Sequence, residues 1–79
     1  MSPTVFREKG FRFFFFSREE TRMHVHIHSS DGEAKFWLEP QIELAKNFRL
    51  SRVQLHEIEK MIEENYEKLS NAWKNHFTT

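Results

Sequence analysis

A chain of 79 residues holds one domain, and a core of that size is marginal unless a staple or a partner supports it. Twelve Lys and Arg against twelve Asp and Glu leave no net charge, which excludes a uniformly positive polyanion binder, so any nucleic-acid contact needs a local patch. The lack of cysteine excludes a disulfide framework and a thiolate metal site and points to the cytoplasm; the longest apolar run, Phe13 to Phe16, is far short of a membrane span, and no export segment or membrane insertion is expected.

Thr4 to Glu8 and Phe11 to Phe16 flank Glu8-Lys9-Gly10, where glycine takes positive φ at low cost, so the first segment reads as a hairpin with a short bulged loop. A polar connection, Ser17 to Arg22, leads to Met23 to His28. Glu33 to Leu38 follows after Ser29-Ser30-Asp31-Gly32, a second hairpin signal. Pro40 ends the sheet and suits the first turn of a short helix reaching about Asn47, with Ile42, Leu44 and Ala45 facing inward. Ser51 and Gln54 have the spacing of a capping box, and Leu50 and Leu55 that of a hydrophobic staple. From there Leu55, Ile58, Ile62, Tyr66, Leu69, Trp73 and Phe77 recur at steps of three and four, one stripe of a helix running to the C-terminus.

The expected fold is therefore α+β: one domain, 1–79, with a four-stranded antiparallel meander over 1–39 and a helical part over 40–79, in which a short helix precedes a long C-terminal helix packed on one face. An unbroken helix would span about 40 Å, whereas the radius of gyration of so short a chain is about 12 Å. Either Ser70-Asn71 breaks the rod, or its Tyr66, Leu69, Trp73 and Phe77 stripe is buried by a partner.

His24, His26 and His28 alternate with Met23, Val25 and Ile27, and on a strand that spacing sends three imidazoles to one face. Val25, Ile27, Phe36 and Leu38 form the expected core face, with Phe13 and Phe15. The other face collects the histidines with Arg12, Phe14 and Phe16 and with Lys35 and Trp37. Imidazole titrates near physiological pH and both donates and accepts hydrogen bonds, while aromatic rings beside basic groups stack bases and hold phosphates. Interfaces between proteins are also rich in aromatics and Arg. A metal site is not expected, because same-face neighbours on a strand lie roughly 7 Å apart, too far for three imidazoles to converge easily on one ion. No cofactor is expected, as no glycine-rich phosphate loop and no Ser-His-Asp pattern occurs.

Pro3-Thr4-Val5-Phe6-Arg7-Glu8-Lys9-Gly10-Phe11-Arg12-Phe13-Phe14-Phe15-Phe16-Ser17 resembles the opening signature of the domain of unknown function family 4160. The likeness continues through Met23-His24-Val25-His26, through Gly32-Glu33-Ala34-Lys35-Phe36-Trp37-Leu38-Glu39-Pro40, and through Leu44-Ala45-Lys46-Asn47. The resemblance implies a compact α+β domain of prokaryotes and phages, often encoded beside a small protein of unknown-function family 2442, as in a toxin-antitoxin or regulatory pair. Of the three histidines, His24 and His26 belong to the family's His-x-His motif.

The functional expectation is a small intracellular protein-interaction module, one half of such a two-gene pair, joined to a small partner or to a second copy of itself through Tyr66, Leu69, Trp73 and Phe77 or through the second sheet face. The alternative is a metal-independent, toxin-type ribonuclease or a nucleic-acid-binding protein. There His24 and His26 would supply acid-base chemistry, and Arg12, Phe14, Phe16, Lys35 and Trp37 would grip the strand.

Overall fold

A computed structural model describes residues 4–16 and 22–77. The Ser17 to Arg22 connection lies outside the described residues except for Arg22. The fold is α+β, with five strands rather than four: β1 (Thr4–Glu8), β2 (Phe11–Phe14), β3 (His24–His28), β4 (Glu33–Trp37) and β5 (Glu43–Phe48), then α1 (Arg52–Glu64) and α2 (Tyr66–Phe77). The strands pair in chain order, each antiparallel to the next.

Glu8 pairs directly with Phe11, and Lys9 and Gly10 both have positive φ, 51° and 82°. The loop is thus a two-residue turn of the type that matches strand twist, and not a bulged one. The bulge lies instead between Thr4 and Phe6. At the β3–β4 turn the amide of Ser29 donates to the Gly32 carbonyl (2.9 Å), and the Asp31 amide donates to the Ser29 hydroxyl (3.2 Å). A Cβ on Gly32 would run into the carbonyl oxygen of Phe48, so glycine lets the chain pass close beneath the end of β5.

The stretch after Pro40 corrects the expected short helix. Glu-Leu-Ala-Lys favours helix locally, but pairing with β4 overrides that preference: Phe36 takes Leu44 as its neighbour and Lys35 takes Lys46. Ala45 is the extra residue of a bulge between those pairs. The sheet therefore continues to Phe48, and the helical part begins at Arg52 rather than at residue 40.

The start of α1 is as the sequence foretells. The Ser51 hydroxyl accepts from the Gln54 amide (3.1 Å), and the Gln54 side chain accepts from the Ser51 amide (2.9 Å), a full capping box. Leu50 is buried, and Leu55 packs against the same core. The Gln54 amide group also donates to Asp31 (3.0 Å), tying the helix start to the β3–β4 turn.

The long rod does break, but at Asn65 and not at Ser70-Asn71. The Asn65 amide donates to the carbonyls of Met61 (3.0 Å) and Ile62 (3.2 Å), and its side chain donates to Met61 (2.8 Å). The chain then turns into α2, where the Tyr66 hydroxyl donates to the Leu38 carbonyl (2.8 Å). Helices of 13 and 12 residues are each about 20 Å long, which fits a domain whose radius of gyration is 11.6 Å. Both helices lay their stripe on the face carrying Phe13, Val25, Ile27, Phe36 and Leu38, with Ile58, Ile62 and Leu69 fully buried there. Phe6 stacks on Phe13 at 4.3 Å.

Candidate functional site

The sheet face turned away from that core is built by register. Phe14, His26, Lys35 and Lys46 lie directly opposite one another on four successive strands, a row of about 15 Å. Beside it runs Arg7, Arg12, His28, Glu33 and Phe48, and on the other side His24, Trp37 and Glu43. The expected candidates Arg12, Phe14, Lys35 and Trp37 thus share one face.

Two of the lateral pairs join like charges: Arg7 opposite Arg12, and Lys35 opposite Lys46. Five cations, Arg7, Arg12, Arg22, Lys35 and Lys46, share this side with only Glu33 and Glu43 among the described residues. Among the described residues this sheet face thus carries an excess of positive charge that the chain's zero net charge does not reveal.

The aromatic rings are capped by cations. The Arg12 guanidinium lies 4.3 Å above the ring of Phe14. Arg22 lies 4.1 Å from the Trp37 ring and the Lys35 ammonium 4.4 Å from it. Arg12 is steadied by a hydrogen bond to the Thr4 hydroxyl (2.7 Å), and Arg22 by one to the Glu39 carbonyl (2.9 Å). Its contact with Glu43 is 3.7 Å and exposed, so it adds little. Guanidinium planes held over rings present a flat, charged platform of the kind on which bases stack. Phe16, 42% exposed, leaves its ring open at the edge of this face.

The three histidines keep the expected alternation but differ in access. His24 is fully buried, its Nδ1 2.7 Å from the Arg22 carbonyl; a carbonyl only accepts, so Nδ1 carries the proton. Trp37 and Trp73 flank it at 5.6 and 5.1 Å. His26 is half-buried, 5.6 Å from Phe14 and 4.4 Å from Phe16, and His28 is exposed. The gradient arises because α2 reaches the end of the sheet, where Trp73 also meets Phe15 edge-on at 5.2 Å. No three His, Asp or Glu side chains converge as a metal site among the described residues.

The stripe expected to meet a partner is placed differently. Leu69 is fully buried and Trp73 is 9% exposed, both within this chain's own core. Tyr66 is half-buried with its hydroxyl committed to Leu38, and the side chain of Phe77 lies outside the described residues. Sequence reasoning passes over Arg7, Arg22 and Lys46. The alternation of Ile42 and Leu44 fits a strand as well as a helix, but Lys46 reaches the sheet face of Lys35 only because the bulge at Ala45 shifts that alternation.

Among the described residues no helix is long and apolar enough to cross a membrane. No curated protein and no solved structure matches the chain. The family model described as "Domain of unknown function (DUF4160)" matches residues 10–74. That span takes in β2 through most of α2, and the chain belongs to this family.

Proposed function

We propose that the protein is a binding module and not a catalyst, and that its working surface is the uncovered sheet face, which takes a single strand of nucleic acid. The observation that carries this reading is the pair of like-charge neighbours, Arg7 with Arg12 and Lys35 with Lys46. Like charges directly opposite on a sheet destabilise it, and a phosphate backbone lying across them turns that repulsion into attraction. Arg12 and Arg22, seated on Phe14 and Trp37, offer planes for bases, as does the open ring of Phe16.

Catalysis is the weaker reading. A ribonuclease needs an acid-base group within reach of the phosphodiester, and His24, one of the two histidines expected to supply it, has no exposed surface. The cellular setting implied by the family resemblance, a two-gene regulatory pair, is compatible with a chain that supplies binding only.

The test is fluorescence anisotropy with a short labelled single-stranded RNA over a range of salt. Contacts from Arg12, Lys35 and Lys46 predict a slope of log affinity against log salt of about −2, from about 0.7 per neutralised phosphate. Absence of binding at low salt would overturn the reading.

A further inference from the structure

We propose that the protein forms a two-fold homodimer in which β5 pairs antiparallel with β5 of a second copy, centred between Leu44 and Ala45. The observations behind it belong to the β5 edge, of which Lys46 is also part of the proposed binding face. The sheet has two edges, β1 and β5, and they differ in what they expose. On β1 the apolar residues Val5 and Phe6 are packed against the core. On β5, Leu44 is 42% and Phe48 63% exposed, and Val53 just beyond it is 70% exposed. Two of the four exposed large apolar side chains among the described residues, Leu44 and Phe48, thus lie on one unpaired edge strand, and a third, Val53, lies in the first turn of α1. Lysine and a bulge on an edge strand ordinarily guard it against pairing; apolar side chains left bare beside them do the reverse.

The charge pattern selects both the occupant and the register. In Glu43-Leu44-Ala45-Lys46, antiparallel pairing about the central bond sets Glu43 of each copy opposite Lys46 of the other, making two ion pairs. A register centred on Lys46 or on Glu43 would oppose like charges. A two-fold axis normal to a sheet requires opposed residues to share a face, and in a regular strand positions 43 and 46 would not. The bulge at Ala45 shifts the alternation: Glu43 pairs with Trp37 and Lys46 with Lys35, all on the uncovered face. The irregularity makes the edge self-complementary.

Size-exclusion chromatography with light scattering tests this on the whole chain, with circular dichroism to verify that each variant folds. Wild type is expected at twice 9.7 kDa. Glu43→Lys and Lys46→Glu should each weaken dimerisation by about tenfold or more, as attraction becomes repulsion. The combined Glu43→Lys, Lys46→Glu protein should regain it, because the reversed pairs attract again. A monomeric wild type overturns the proposal, and so does a folded double variant that stays dissociated while the wild type dimerises.

Discussion

Lys35 and Lys46 stand directly opposite each other across β4 and β5, in a row that also holds His26 and Phe14 and no carboxylate. Each cross-strand pair of like charge costs a fraction of a kcal/mol up to about 1 kcal/mol. For a small domain that is a real share of a stability of order 0.1 kcal/mol per residue, so the arrangement is best understood through what it holds.

The Arg7 and Arg12 pair allows that idea to be tested without disturbing the core. Arg7 is exposed on β1, opposite Arg12. Arg7→Glu converts repulsion into attraction and should raise stability in urea by up to about 1 kcal/mol. The same substitution should weaken binding of single-stranded RNA, a separation of stability from function that a purely structural pair would not show.

The two histidines of the His-x-His motif should part company. His24 is buried and bonded through Nδ1 to the Arg22 carbonyl, so His24→Ala leaves that acceptor and a gap between Trp37 and Trp73. It should cost about 1–3 kcal/mol in chemical denaturation. His26→Ala, at a half-buried site between Phe14 and Phe16, should cost less stability and more ligand affinity.

Gly32→Ala should destabilise the protein by about 1–3 kcal/mol, because the added methyl meets the backbone at Phe48 and Arg49, which cannot move as a side chain would. Thermal unfolding followed by circular dichroism reads this directly.

Ser51→Ala removes the acceptor for the Gln54 amide and should cost about 0.5–2 kcal/mol. Gln54 also reaches Asp31, so amide hydrogen exchange should quicken at the β3–β4 turn as well as in the first turn of α1.

The features legible in the sequence are those written in local chemistry. The Lys9-Gly10 and Ser29 to Gly32 turns, the Ser51 capping box and the inward Phe13 and Phe15 all follow from residues within a few positions of each other. Phe13 and Phe15 are indeed at 0 and 1% exposure. The fifth strand is not legible in this way, because Leu44, Ala45 and Lys46 are good helix formers and only the distant pairing with Lys35 and Phe36 makes them extended. The break at Asn65 is hidden for another reason: Ile62, Tyr66 and Leu69 continue the apolar stripe through it. On α2, Trp73 lies against His24, and that contact helps decide which histidine remains accessible. Arg12, Phe14, Lys35 and Trp37 are placed together by strand alternation, as expected, whereas Lys46 joins them only because β5 exists.

The most direct test of the binding surface is an amide chemical-shift titration of isotope-labelled protein with a short single-stranded RNA, repeated on the Arg12→Glu, Lys35→Glu double variant. The account predicts perturbations confined to the face carrying Phe14, His26, Lys35, Trp37 and Lys46, absent along the outer side of α1, and lost in a double variant that remains folded. Perturbations centred on α1, or an unchanged affinity in the double variant, would contradict it.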